Sequence, residues 1–476
     1  MLVLPAALVL LFLAVPVAIA ADGDLETGFN GTGKLSGTLG GSTRINGSVV
    51  QPDGKLIVVG SVGGDGVVAR YNPNGILDPM FGATSPGVTV VDSGMTSGGE
   101  ELAAVALQGD KIVAVGHASL ASTNVFVLAR LNSNGLPDDT FDGPGGSGNG
   151  VFRISQGTNA FAAAIAVSGN KVIFGGSVDA HSFVYQLNDN GTLDTTGFGS
   201  PNGYLMFDFP GGGSGQSFLA GLAIEQSDGK IIAVGHPNGA TGIGVARITT
   251  TGALDTTFNP TGSPAGTRVL APPTGYADGA GRGVIADPSG EILVGGYVES
   301  FIPSDNRDPA IAAVTPAGAL DTAAFAGGTG YALLPLAGSF DQANGLARQP
   351  DGKLVIGGTA GDVGSFDFLA ARFSASGVLD TGFASPAGYT TTDFSGATST
   401  GSTLALSNTG VAYVGGNAGL SDFGIAAFHA YTPLPTGGGG GDGGAQPAAP
   451  SSPAAKKKCK KKKHRAAAAK KCKKRK

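Results

Sequence analysis

Six acids recur at one place along this chain: Asp78, Asp138, Asp194, Asp255, Asp321 and Asp380, each followed within four residues by Phe. A carboxylate so placed can ligate a hard cation or accept backbone N–H groups in a turn. The run Asn188-Asp189-Asn190-Gly191-Thr192-Leu193-Asp194 has oxygen side chains at alternate positions and a glycine at the bend, like a calcium loop. It lacks a bidentate acid at the far end, and the matching stretch Thr250-Thr251-Gly252 has no acid at all. The expectation is therefore structural: each Asp accepts turn N–H groups, as in an Asx-turn. Arg70, Arg130, Arg247 and Arg372 recur eight residues before four of these acids and are candidate ion-pair partners.

Other reactive residues are few. His117 and His236 hold equivalent positions after Val-Gly, where other units carry Ser61, Ser177, Tyr297, Thr359 and Asn417. They read as exposed strand ends rather than as polar groups of a site. The stretch Ser300 to Pro309 gathers Asp305, Arg307 and Asp308 and is the nearest thing to a reactive cluster. No Gly-x-Ser-x-Gly, His-Glu-x-x-His or phosphate-binding Gly-x-x-x-x-Gly-Lys-Ser/Thr motif is found, and the glycines from Gly143 to Gly150 read as a loop. Both cysteines, Cys459 and Cys472, lie near the C-terminus as candidates for a disulfide within or between chains. Their spacing with His464 matches no zinc pattern. No residue is assigned to catalysis, to a cofactor or to a metal, and the protein is read as a non-enzyme.

The elements that must hold these residues are repeats. Gln51-Pro52-Asp53-Gly54-Lys55-Leu56-Ile57-Val58-Val59-Gly60 returns at Gln226 to Gly235 and at Gln349 to Gly358, with weaker copies between and after. Residues at the Lys place fall at 55, 111, 171, 230, 291, 353 and 411, so seven units have near-constant length. A second phrase follows in each, as in Gly377-Val378-Leu379-Asp380-Thr381-Gly382-Phe383. Between them lie β-branched runs: Ile45 to Val50, Leu56 to Val62, Val67 to Tyr71 and Val88 to Val91, bounded by Asp-Gly and Asn-Gly. These are strand and hairpin signals. Four strands in about sixty residues is one propeller blade, so the fold expected is all-β, a β-propeller of seven four-stranded blades. The chain has 83 glycines, no Trp and two Cys, which disfavours helices and leaves Val, Ile, Leu, Ala and the recurring Phe to build the core. The seventh unit lacks the second phrase, but Asp24-Leu25-Glu26-Thr27-Gly28-Phe29 carries it at the N-terminus. A strand near Lys34 to Leu39 should complete the last blade and remove an open sheet edge.

The two phrases resemble the delta-60 repeat family, through Gln51 to Gly60, Ala69-Arg70, Leu77-Asp78 and Phe81-Gly82, with Ala129-Arg130, Ala246-Arg247 and Ala371-Arg372 as further matches. The resemblance covers residues about 24 to 431. Tyr185-Gln186, Ala313-Val314 and Ala427-Phe428 stand where three units depart from Ala-Arg. The resemblance implies a β-propeller of secreted or surface bacterial proteins and no defined activity.

The ends differ from the body. Residues 1–20 are apolar and end in Ala18-Ile19-Ala20, a signal-peptidase pattern, although no Lys or Arg precedes them. Residues 21–435 form the propeller, 436–455 a Gly/Pro/Ala-rich linker and 456–476 a basic tail. The tail carries Lys456, Lys457, Lys458, Lys460, Lys461, Lys462, Lys463, Arg465, Lys470, Lys471, Lys473, Lys474, Arg475 and Lys476, fourteen cations and no acid. Of 30 basic and 35 acidic residues the rest keeps 16 and 35, so a body of −19 is joined to a tail of +14. The reading is a secreted or cell-surface binding or scaffold module, monomeric in its body, with a protein or glycan ligand. The tail attaches it to anionic envelope polymers or lipid head groups. Two alternatives stand beside it: a carbohydrate lyase or hydrolase at the central channel, and a nucleic-acid binder through the tail, which the acidic body opposes.

Overall fold

The computed structural model describes residues 20–394, 396 and 398–433, apart from 95–98, 121–122, 144–147, 212–215, 239–240 and 301–305. The expected leader up to residue 19, the linker and the basic tail with Cys459, His464 and Cys472 lie outside the described residues. So does Asp305.

Seven four-stranded antiparallel sheets follow one another as blades. The first is Thr43–Val50, Leu56–Val62, Asp65–Tyr71 and Val88–Val91, paired in chain order. Its second strand is buried on both faces because neighbouring blades cover both, which explains an unbroken apolar run instead of alternation. The tight turn Gln51-Pro52-Asp53-Gly54 joins the first two strands, with Gly54 at φ 86° and the Gly54 amide donating to the Gln51 carbonyl at 2.9 Å.

The seventh blade is closed by the other end of the chain. Lys34–Gly37 pairs with Asp422–His429 as its outermost strand, Lys34 opposite Ala426 and Gly37 opposite Phe423. The N-terminal copy of the second phrase sits in place too: Leu25 bridges Phe428, and the Gly28 amide donates to Glu26 Oε1 at 3.0 Å. The ring thus has no unpaired blade.

The core lies between blades. Phe29, Phe81, Phe141, Phe198, Phe258, Phe325 and Phe383, one per junction, are all at most 2% exposed. Phe81 packs with Ile57 and Val59 of its own blade and with Leu102 and Val127 of the next. Each such burial stabilises by ~1.5–3 kcal/mol.

Candidate functional site

At one end of the strands the recurring acids form a clasp. Oδ1 accepts a backbone N–H two or three residues on: Met80 for Asp78 (3.0 Å), Thr140 for Asp138 (3.2 Å), Gly197 for Asp194 (2.9 Å), Thr257 for Asp255 (3.0 Å), Ala323 for Asp321 (3.0 Å) and Gly382 for Asp380 (3.0 Å). Oδ2 takes the cations. Arg70 Nε donates to Asp78 at 2.9 Å and Lys55 approaches the same oxygen at 3.1 Å. Arg130, Arg247 and Arg372 repeat this with Asp138, Asp255 and Asp380. Each guanidinium also lies over the recurring Phe, at 4.5, 4.5, 5.0 and 5.2 Å, and reaches into the following blade. There Arg247 donates to the Pro316 carbonyl at 2.8 Å and Arg130 to Asp189 at 2.9 Å. Burial alone would raise the Asp138 carboxyl, but Lys111, Thr140 and Arg130 hold it well below its ordinary 3.8. The Asn188–Asp194 loop is held by the protein's own cations: Lys171 donates to Asn188 at 2.6 Å and to Asp194 at 2.8 Å.

Strand register corrects two alignments. Leu293 faces Ala313, and the Asp321 amide donates to the Ala313 carbonyl, so Ala312-Ala313 occupies the Ala-Arg place in the fifth blade, not Ala313-Val314. In the seventh, Tyr413 faces Ala427, so Ala426-Ala427 stands there, not Ala427-Phe428. Both differences have one cause: the fifth and seventh units lack the Arg that marks this place in the sequence.

At the other end lies the mouth of the central channel. The first strand of every blade carries a β-bulge at the same point, and the bulged residues are Asn46, Ala103, Ala163, Ala220, Arg282, Asn344 and Ser402. All seven line one axial cavity of about 360 Å³. The glycine that ends the first phrase accounts for this. A Cβ on Gly60 would lie 1.9 Å from the Arg44 carbonyl oxygen, and Gly116, Gly176, Gly235, Gly296, Gly358 and Gly416 meet the same obstacle at 1.9–2.0 Å. The bulge pushes that carbonyl into the neighbouring strand, and only glycine leaves room. The bulged residues escaped the sequence reading, though this glycine was their signal.

The ring is uneven. Six of its members are small or amide side chains, and Arg282 is exposed with no hydrogen bond or ion pair to any described residue. Beside it a cleft of about 270 Å³ runs across the third to fifth blades, lined by Phe161, Ser177, Phe218, Ala220, His236 and Arg282 among others. Phe161 and Phe218 are 40% and 43% exposed. His236 lines the cleft and His117 adjoins it through Phe161; both are half-buried and not the exposed strand ends expected. Each faces the following blade. The His117 ring packs edge-on against Phe161 at 4.9 Å, and its Nδ1 is buried without a partner. Burial pushes this imidazole towards its neutral form, against the opposing pull of Glu101. His236 Nε2 lies 3.1 Å from Asp278, which also accepts the Gly242 and Gly279 amides at 2.8 and 2.7 Å. Burial opposes ionisation of Asp278, but His236 and these amides together keep its carboxyl below the usual range. Arg307 is held between the Tyr297 and Phe340 rings, at 4.4 and 4.1 Å, with Glu299 3.2 Å away.

Four segments, residues 51–81, 108–141, 226–258 and 349–383, match a family model described as a domain of unknown function (DUF5122) beta-propeller. They are the two-phrase cores of the blades that carry the clasp arginine. The match supports a β-propeller repeat family. No curated protein matches the sequence. Similar solved structures include virginiamycin B lyase from Staphylococcus aureus, 10% identical over 83% of this chain and 98% of that one, with a TM-score of 0.46. Sqt1 from Chaetomium thermophilum bound to the N-terminus of ribosomal protein L10 is 13% identical over 82% and 98%, with a TM-score of 0.48. Polysaccharide lyase Uly1 is 10% identical over 83% and 90%, with a TM-score of 0.44.

Proposed function

We propose that this propeller is a secreted or cell-surface binding module whose ligand seats on the channel mouth across the third to fifth blades. The basic tail attaches the module to anionic envelope components. The observation that carries this is the cleft itself: two exposed phenylalanines beside an arginine that lies over the Tyr297 ring at 5.9 Å and has no hydrogen bond or ion pair among the described residues. Such a surface offers apolar stacking area next to a charge-assisted donor. The ligand class that fits is a glycan bearing a carboxylate, its ring on Phe218 and its acid on Arg282. Titrating residues 20–433 with uronic-acid oligosaccharides by calorimetry tests this. Phe218→Ser and Arg282→Gln should each weaken binding about tenfold, the loss of ~1.4 kcal/mol. Equal binding by both variants defeats the reading.

A second reading, a carbohydrate lyase or hydrolase at the same mouth, draws on His117. A neutral imidazole beside Phe161 suits a general base. Release of an unsaturated sugar from a uronic-acid polymer, lost in His117→Ala, would favour it over simple binding.

A further inference from the structure

The junction of the fifth and sixth blades buries two carboxylates that the clasp does not use. Asp308 lies in the third strand of the fifth blade, Arg307–Val314, and Asp341 immediately precedes the first strand of the sixth, Gln342–Arg348. They are 5% and 0% exposed. The backbone stitches the two segments together: Arg307 bridges Phe340, and the Asp341 amide donates to the Arg307 carbonyl at 3.2 Å. Burial pushes the Asp341 carboxyl up to about 6, and nearby Asp308 adds to the rise; burial also raises Asp308.

Each acid has one oxygen in a short hydrogen bond and one without, although the Leu336 amide lies near enough to Asp308, and the Gly338 amide to Asp341, to favour the ionised form. Tyr276 donates to Asp308 Oδ2 at 2.6 Å, and the Gly361 amide to Asp341 Oδ1 at 2.7 Å. Asp308 Oδ1 and Asp341 Oδ2 are buried with no hydrogen-bond partner. So is the carboxamide oxygen of Asn306, which falls on the same side of the extended chain as Asp308. Among the described residues no Lys or Arg forms an ion pair with them. Arg307, on the opposite side of that strand, is committed to Glu299 and to two aromatic rings. Elsewhere in the ring Asp78, Asp138, Asp194, Glu225 and Asp255 are each met by Lys or Arg, and buried Glu100 is held by Ser93 instead. Buried charges persist when they are paired or coordinate a metal, and bare carboxylate and amide oxygens are the ligands of a hard cation.

We propose that Asp308 and Asp341, with the carboxamide oxygen of Asn306, bind a calcium ion between the fifth and sixth blades. Among the described residues no three His, Cys, Asp or Glu side chains converge, so the site offers two charges and neutral oxygens. A set of this charge suits the weak class of extracellular sites, with a dissociation constant of ~0.1–1 mM. The ion would tie one blade to the next where the fifth blade lacks the clasp arginine.

The test is thermal unfolding of the chelator-treated full chain, titrated with calcium chloride. At ten times the dissociation constant the Tm should rise by ~1–2 °C. Magnesium, which demands a tighter octahedral cage, should raise it less. Asp308→Asn and Asp341→Asn should each abolish the calcium response. Without calcium they should unfold no earlier than the parent, because each relieves a buried repulsion, and that reading also shows that the variants fold. Asp189→Asn, in the calcium-like loop, should keep the full response. A parent whose Tm ignores calcium up to ~10 mM, tenfold above the weakest expected constant, overturns the proposal. So does an undiminished response in both variants at the junction.

Discussion

Asp22 and Arg372, 350 residues apart in sequence, form an ion pair where the segment from Asp22 meets the sixth blade. Asp22 also receives His429 at 3.1 Å, and its carbonyl accepts the Ala384 amide at 2.7 Å. The same backbone bond recurs at every junction, as in Gly82 to Asn134 at 3.0 Å and Asn259 to Ala317 at 2.9 Å. The N-terminus is therefore a structural part of the last blade.

Removing residues 22–40 deletes the outer strand of the seventh blade, its Phe29 and the Asp22 pair. The loss should reach several kcal/mol, since an edge, a buried Phe and a buried ion pair go together. Chemical denaturation of the shortened body checks this, and an unchanged midpoint would refute the closure.

The clasp acids should not be equivalent. Asp255→Ala takes the nearest carboxylate from the buried Arg247, leaving Glu225 at 3.7 Å, and should cost ~3 kcal/mol. Asp321→Ala removes only turn bonds to Ala323 and Ala324 and relieves repulsion of Glu291, so it should cost under ~1 kcal/mol. Similar losses in both would deny the Arg clasp its role.

The sign of the pH dependence follows from Asp138. Its folded carboxyl is held below 3.8, so the unfolded chain takes up its proton first and the group's contribution is complete above ~pH 5. That contribution disappears as pH falls through the folded value. The gap in urea midpoint between the parent and Asp138→Asn should be widest near pH ~7 and narrow steadily below pH ~4. A gap constant with pH would contradict the ion pair.

Gly358→Ala places a methyl group 2.0 Å from the Gln342 carbonyl oxygen. The bulge must shift, at a cost of ~1–3 kcal/mol or more. An unaltered Tm would show that the inner strands do not need the bulge.

The chain ending at Ala455 should enter the medium at low salt, while the full chain stays with the envelope fraction until a high-salt wash. Each Lys or Arg near an anionic surface contributes ~1 kcal/mol, and exposed charges are screened over ~8 Å at physiological salt. Identical partition of both chains removes the anchor. Release by reducing agent alone would move the role to Cys459 and Cys472.

Strands, turns and blade number are local matters, and the sequence alone determined them. Leu56–Val62 is a strand because five apolar side chains, four of them β-branched, fall in seven residues between Asp-Gly and Gly-Gly. The swapped N-terminal phrase also revealed the closure, because Leu25 and Phe29 repeat a pattern whose absence after Tyr431 is visible. Tertiary structure alone decided what the blades present. Arg282 and Ala220 look alike in their units, yet the bulge turns both into the channel, where one is a charge beside the Tyr297 ring and the other open floor. His117 and Phe161 stand in different units and meet only because neighbouring blades are packed at a fixed register. The orphan oxygens of Asp308 and Asp341 are likewise a property of a junction. Periodicity encodes one blade at a time. The site is made between blades, where no local pattern reaches.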